Sequence, residues 1–372
     1  MLLASLHRCR KPDLQSFERT DPVTTLYRQV LVRPADVLPS RDDFEVIGTF
    51  NPGAVKTAEG VTLLVRVAER ACSVRPGFTG LPRWSDGELA IDWIANDELE
   101  FIDPRVVRCK RDGLVRLTFT SYLKVVRSLD GRRDFDYTGT VFCPESDLEG
   151  FGVEDPRITP LEGRFCITYV AVSRRGVATA LATTDDFHSF TRHGVIFGPE
   201  NKDVVLFPEK IGGEYYALHR PSGSAGFSRP EMWLAKSPDL IHWGEHQHLL
   251  AVGSGWDSGR IGAGPPPIRI AEGWLVLYHG NERPRRAGEV GVYSAGAMLL
   301  DHDEPSRILR KSVTPLFKPE ADFETGGFVP NVVFPTGILV DDRSLQIYYG
   351  AGDTSSAMLR MSVDEVLASL DG

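Results

Sequence analysis

Cysteine is scarce: Cys9, Cys72, Cys109, Cys143 and Cys166 are odd in number, widely scattered and never arranged as C-x-x-C. That excludes a disulfide framework and a cysteine-based zinc site, and it suits a reducing cytoplasm. Long apolar runs are absent too, none approaching the roughly 18 to 20 residues that span a bilayer. The opening "MLLASLHRCRKP" is too short and wrongly ordered for a signal peptide. A protein neither exported nor membrane-anchored is expected. Positive charge is thin: 42 bases stand against 51 acids, for a net charge of -9, and the basic pieces are as short as "RPRR" at 283–286. Nucleic acid is therefore not the expected partner.

What the chain does have is internal repetition. A proline, a few apolar residues, a glycine-bearing turn and a β-rich run recur in "FNPGAVKTAEGVTLLVRVAE" from Phe50, "IDPRVVRCKRDGLVRLTFTSY" from Ile102, "EDPRITPLEGRFCITYVAVS" from Glu154, "LFPEKIGGEYYALHRP" from Leu206, "PPPIRIAEGWLVLYHG" from Pro265 and "FPTGILVDDRSLQIYYGAGD" from Phe334. Anchored on Pro52, Pro104, Pro156, Pro208, Pro267 and Pro335, the copies are 52, 52, 52, 59 and 68 residues apart. Each reads as an inner antiparallel hairpin. A second pattern, a strand running into Ser or Thr and then an Asp turn, follows in "LKVVRSLDGRRDFDY", "VATALATTDDFHSF", "EMWLAKSPDLIHW", "YSAGAMLLDHDEPSRIL" and "AMLRMSVDEVL".

Four strands per repeat of this length are the mark of propeller blades. Five outer hairpins against six inner ones predict an all-β, five-bladed β-propeller with one inserted hairpin, placed at about 72–120. Residues 1–372 form one domain in this reading, with 1–45 as an N-terminal extension. Short helices are expected only in the first 25 or so residues and at "SVDEVLASL".

In a propeller the inner hairpins converge on one channel mouth. The stretch "GFGVEDPRIT" places Glu154 and Asp155 at such a hairpin, although acids are poor strand formers. Successive strand side chains point to opposite faces, so only one of the two is expected to face the channel. Arg66, Lys202, His219, Arg220, Arg260 and His279 also fall near hairpin ends or the loops feeding them. Cations gathered in an acidic protein point to an anionic ligand such as phosphate. Trp243, Trp256 and Trp274 are expected to pack the blades, with stacking on a sugar as the alternative for Trp256 beside its glycine-rich loop. Arg157 is expected to pair with a nearby carboxylate, and Asp103 to be structural.

The motifs "NPGA", "GVEDPRI", "NKDVVLFPEK", "ALHRP", "IGAGPPPI", "GWLVLYHG", "PNVVFPTG" and "YYGAGDT" run in order from about Phe50 to Thr354. Together they resemble glycoside hydrolase family 130, the β-mannoside phosphorylases and their hydrolase relatives. The resemblance implies a five-bladed propeller and a single acid, Asp155, which protonates the departing glycosidic oxygen through the mannose 3-hydroxyl. Inorganic phosphate attacks the opposite face and gives α-mannose 1-phosphate, with no metal and no cofactor beyond phosphate as co-substrate. The implied phosphate-binding residues are Lys202, Arg220 and Arg260, with His279 and Tyr293 nearby. The sugar-binding positions are Asn51, Arg66 and Asp353, and His219 joins them from its place in "ALHRP". Partners are a small carbohydrate and phosphate, and a neighbouring subunit of a homo-oligomer can complete the acceptor pocket. Two alternatives stand beside this reading: an inverting β-mannosidase in which an acid such as Glu282 activates water, and a propeller that binds carbohydrate without catalysis.

Overall fold

The computed structural model describes residues 27–223, 226–227, 229–284 and 290–371. Cys9 and the helix expected in the first 25 residues lie outside them, as do two arginines of "RPRR". Strand pairing resolves into five antiparallel units of four strands, the fourth unit extended at its outer edge by Leu370–Asp371. From the innermost strand outward, blade 1 is Phe44–Thr57, Gly60–Ala71, Thr120–Ser128 and Asp136–Phe142, and blade 2 is Gly152–Leu161, Arg164–Ser173, Gly176–Thr184 and Thr191–Phe197. Blade 3 is Asn201–Leu206, Tyr215–Pro221, Met232–Ser237 and Gly244–Leu250. Blade 4 has an inner strand in two pieces, Arg260–Ala263 and Ile268–Ile270, followed by Gly273–Asn281, Tyr293–Leu300 and Ile308–Ser312. Blade 5 is Val333–Asp341, Ser344–Ala351 and Ser355–Ser362, and its fourth strand is Arg28–Val32.

The inner strands of blades 1 to 4 touch in succession, and that of blade 5 packs against both blade 4 and blade 1. This closes the ring of an all-β, five-bladed propeller. Closure is made by chain ends: Arg28–Val32 pairs antiparallel with Ser355–Ser362, and Thr49 pairs parallel with Ser355. Ser356 Oγ adds a 2.8 Å bond to the Thr49 carbonyl. The fifth outer element expected at "AMLRMSVDEVL" is thus half right. Its first strand exists, but its partner comes from the N-terminal side, and the chain turns instead into the helix Val363–Ala368, capped by Ser362 Oγ on Glu365 N.

Inner strands such as Gly152–Leu161 are buried along nearly their whole length, whereas outer strands such as Thr191–Phe197 are exposed or half-buried over most of theirs. The Ser/Thr and Asp signature of the outer hairpins has a local cause. Asp130, Asp186, Asp239 and Asp301 each accept, through Oδ1, hydrogen bonds from two backbone amides just downstream, closing the turn without help from the rest of the fold.

The insertion is larger than the single hairpin expected. Phe78–Ser85 and Glu88–Ala95 form one two-stranded sheet, and Leu99–Asp103, Val106–Cys109 and Val115–Leu117 form a three-stranded one, around Leu81, Leu99 and Val107. The copy anchored on Pro104 therefore belongs to this subassembly and is not a blade hairpin. Trp84 Nε1 ties it to Thr120 Oγ1 at 2.9 Å.

Candidate active site

Several inner strands break register at corresponding places: between Phe50 and Gly53, Glu154 and Arg157, Lys202 and Val205, and Pro335 and Gly337. In the first three, the extra residue is left-handed, with φ of 51° at Asn51, 49° at Asp155 and 57° at Asp203. Asn and Asp tolerate this backbone better than other non-glycine residues, and a bulge re-aims the side chains around it.

One consequence overturns the strand-alternation expectation. Glu154 and Asp155 both line the same cavity, because the bulge at Asp155 removes the alternation that would have separated them. The cavity holds about 220 Å³. Of the expected site residues, Asn51, Arg66, Asp155, Lys202, Arg220, Arg260, Tyr293 and Asp353 line it, with Phe119, Phe334, Val332 and Val290 supplying apolar wall.

Asp155 is almost fully buried at one side. Asn51 Nδ2 donates to its Oδ1 at 2.7 Å and Arg66 Nη1 at 2.9 Å, while Lys202 Nζ stands 3.6 Å from Oδ2. Burial alone would raise its pKa, but Arg66, Lys202 and Arg157 outweigh that and hold the carboxyl well below the usual carboxylate range. Arg66 also donates to Glu154 Oε1 at 2.7 Å and to Ser121 Oγ at 3.1 Å, and its guanidinium lies 4.6 Å from the Phe50 ring centroid. Asn51 fits because blade 5 carries Gly350 there, where a Cβ would come within 1.9 Å of Asn51 Oδ1.

Asp353, at φ 46° in the turn after Ser344–Ala351, faces the same group. Burial pushes its pKa up to about 6, with Arg105 and Arg66 pulling down and Asp155 and Glu154 pushing up. The cations of the other side come from blades 3 and 4. Lys202 and Arg220 are register partners, and Arg260 stands exposed at the rim.

Two expected residues lie elsewhere. His219 does not reach the cavity: it neighbours Arg220 on one strand and therefore points to the opposite face. There its Nδ1 meets Asn201 Nδ2 at 3.0 Å, its Nε2 meets His246 Nδ1 at 3.1 Å, and its ring stacks on Phe197 at 4.8 Å. His279 is fully buried behind Arg220, with Nε2 3.3 Å from Arg220 Nη1 and 3.3 Å from Asp203 Oδ2. Burial lowers its pKa to about 4, so the ring is neutral near pH 7.

Glu282 is exposed and not part of the cavity lining. Trp256 stacks on Tyr278 at 5.6 Å and donates to the Val313 carbonyl, a packing role, and Trp274 is buried. No group of three or more His, Cys, Asp or Glu side chains suited to a metal occurs among the described residues.

Sequence reasoning missed Arg105 and Asp203. Arg105 reaches the cavity from the insertion, held by Asp103, whose Oδ1 accepts from the Arg105 amide at 2.7 Å and whose Oδ2 lies 3.1 Å from Nη2. The "DPR" shared by "IDPR" and "EDPR" was the available signal. Asp203 is completely buried, and its only sequence signal is an acid flanked by Lys202 and two valines.

The family model for glycoside hydrolase family 130, described as beta-1,4-mannooligosaccharide phosphorylase, matches residues 94–371. The chain is 41% identical over 348 residues to the beta-1,2-mannobiose phosphorylase of Listeria innocua, covering 92% of this chain and 96% of that one. It is 36% identical over 240 residues to the 1,2-beta-oligomannan phosphorylase of Thermoanaerobacter sp., covering 63% and 77% respectively. Among solved structures, the Listeria innocua enzyme in complex with beta-1,2-mannobiose superposes with a TM-score of 0.87, covering 93% of this chain and 99% of that chain.

Proposed function

Because the chain belongs to glycoside hydrolase family 130, we propose that it is an inverting phosphorylase of β-linked mannosides, with β-1,2-mannobiose as the preferred substrate and α-mannose 1-phosphate as the product. The observation that carries this reading is the division of the cavity. Its carboxylates Glu154, Asp155 and Asp353 all act on Arg66, while the sector built by blades 3 and 4 presents Lys202, Arg220 and Arg260. An inverting hydrolase needs a second carboxylate across the ring to activate water. A phosphorylase needs cations there, since phosphate is already an anionic nucleophile. The β-1,2 linkage is favoured by identity that extends along 92% of this chain and 96% of the Listeria innocua mannobiose phosphorylase.

In this mechanism Asp155 gives its proton to the glycosidic oxygen through the mannose 3-hydroxyl as the C1–O bond breaks. A phosphate oxygen bonds to C1 from the opposite face. Asp155 is left as a carboxylate, the form with which Arg66 and Lys202 pair. The forward reaction requires the protonated form. Bound sugar excludes water from Asp155, and phosphate draws on Lys202 while adding negative charge, and both changes raise the acid's pKa. In the synthetic direction the ionised carboxylate is the base that accepts the proton.

The test is incubation with β-1,2-, β-1,3- and β-1,4-mannobiose, with and without inorganic phosphate. Mannose 1-phosphate of α configuration, formed from the β-1,2 substrate only when phosphate is present, is the expected product. Free mannose released at equal rates with and without phosphate would replace this reading with the hydrolase.

A further inference from the structure

Asp203 has no role in the chemistry above, yet it is the most enclosed carboxylate near the cavity, 0% exposed on a left-handed backbone. A buried carboxylate is costly unless paired. Its partners come from three successive blades. Arg220 Nη1 lies 2.9 Å from Oδ2, Arg157 Nη2 3.6 Å from Oδ1, and His279 Nε2 3.3 Å from Oδ2. Neither oxygen accepts an aligned hydrogen bond among the described residues, so the hold is chiefly the charge of Arg220 and Arg157. Burial would raise its pKa, but the Arg220 guanidinium outweighs that and holds the carboxyl well below its usual range.

Space has been cleared for this group. Gly262, on the inner strand of blade 4, sits so close that a Cβ there would lie 2.3 Å from Asp203 Oδ2 and 2.6 Å from His279 Cε1. Arg157 extends the cluster toward the acid, because its Nη1 donates to the Asp155 backbone carbonyl at 2.5 Å and its Nε to the Gly264 carbonyl at 3.3 Å.

We propose that Asp203 is a positioning residue for phosphate: its charge fixes the Arg220 guanidinium at the cavity wall, and through Arg157 it ties that guanidinium to the strand bearing Asp155. It touches neither substrate. The proposal rests on the phosphorylase reading for its turnover assay but not for its binding assay.

Two variants of the full chain test it. Asp203→Asn keeps the shape, tolerates the same backbone and removes the charge. Gly262→Ala keeps the charge and crowds it. Phosphorolysis of β-1,2-mannobiose is measured with each substrate varied in turn, inorganic phosphate binding is followed by calorimetry without sugar, and thermal melts confirm folding. For both variants, the phosphate KM and Kd are expected to rise about tenfold or more, as when one partner of a buried charge pair is lost, while the mannobiose KM changes less than about twofold. Unchanged phosphate affinity in a folded variant overturns the proposal, as does an equal rise in both KM values. If Asp203→Asn does not fold, Gly262→Ala decides alone. Wild-type protein that binds phosphate without turnover would remove the phosphorylase reading and leave the binding test of Asp203 intact. Wild-type protein that does not bind phosphate would remove both.

Discussion

Asp155 and Asp203 occupy the same place in adjacent blades: each is the left-handed residue of an inner-strand bulge, each is buried, and each is ringed by cations. They differ in what they face. Asp155 lines the cavity, where its partners Arg66 and Lys202 do too, whereas Asp203 lies beneath the lining and touches Arg157, Arg220 and His279. One backbone device thus yields a carboxylate that a ligand can reach and a carboxylate that holds other side chains still. Reach separates their chemistry, since both are held ionised by neighbouring cations.

The largest effect follows from removing the reachable one. Asp155→Asn should lower kcat for phosphorolysis about a thousandfold, within the range that general acid–base groups supply, while phosphate KM stays within a few-fold of wild type. Asp203→Asn should show the reverse pattern. If Asp155→Asn instead weakens phosphate and spares kcat, the two carboxylates have been assigned the wrong way round.

Lys202 stands at the seam, and its replacement sharpens the comparison. Lys202→Met should raise the phosphate KM about tenfold, as loss of a charged ligand contact does. It should also displace the pH profile, with a sign that can be worked out. Lys202 is one of the cations that depress Asp155, so its removal raises that pKa, and the ionisation assigned to Asp155 should appear at higher pH. A shift toward lower pH, or none, would detach Lys202 from the acid.

These assignments also mark what was legible in the chain. Five blades could be counted because glycine turns and Asp-closed outer turns are local signals, each formed by residues close in sequence. The regular spacing of 52 was misleading, since Pro104 lies in the insertion and the residue equivalent to Pro156 in blade 3 is Val204, not Pro208. The recurring feature is the left-handed Asn or Asp, which composition and alternation do not reveal. That is why Glu154 and Asp155 were expected on opposite faces. Most cavity residues were found because motif order carried them. Arg105 escaped because its route to the cavity is a long-range contact of the insertion, and Asp203 because burial under Arg220 is decided by three blades at once.

Asp353 extends the comparison to a carboxylate whose cations do not suffice. Its pKa in the fold is about 6 against an ordinary 3.8, so folding favours its protonated form. Stability therefore falls as pH rises from about 4 to 6, and a fixed penalty remains above that. Asp353→Asn, which tolerates the left-handed turn, should raise Tm by about a degree at pH 7, roughly the size of effect that about 1 kcal/mol produces in a chain of this length, and by nothing near pH 3.5. For Asp155 and Asp203 the sign is opposite: their depressed pKa values stabilise the fold above about pH 4, and that stability is lost as pH falls. A stabilised Asp155→Asn at pH 7 would contradict this contrast.

The smallest effect on catalysis is expected at His219, the neighbour of Arg220 that the strand turns away from Asp203 and the cavity. Burial, with a smaller contribution from His246, lowers its pKa to about 3, so the ring is neutral, accepting from Asn201 at Nδ1 and donating from Nε2 to His246. Glutamine offers one acceptor and one donor in place of the two ring nitrogens. His219→Gln should therefore keep kcat and both KM values within about twofold. Its signature is in stability: the unfolded chain takes up a proton at His219 as pH falls through about 6.5 while the folded one does not, so wild type loses stability from there downward. The variant should lose less between pH 7 and 5 in thermal melts. A tenfold loss of kcat with an unchanged melting profile would instead put His219 at the cavity, and the separation of the two faces of this strand would fail.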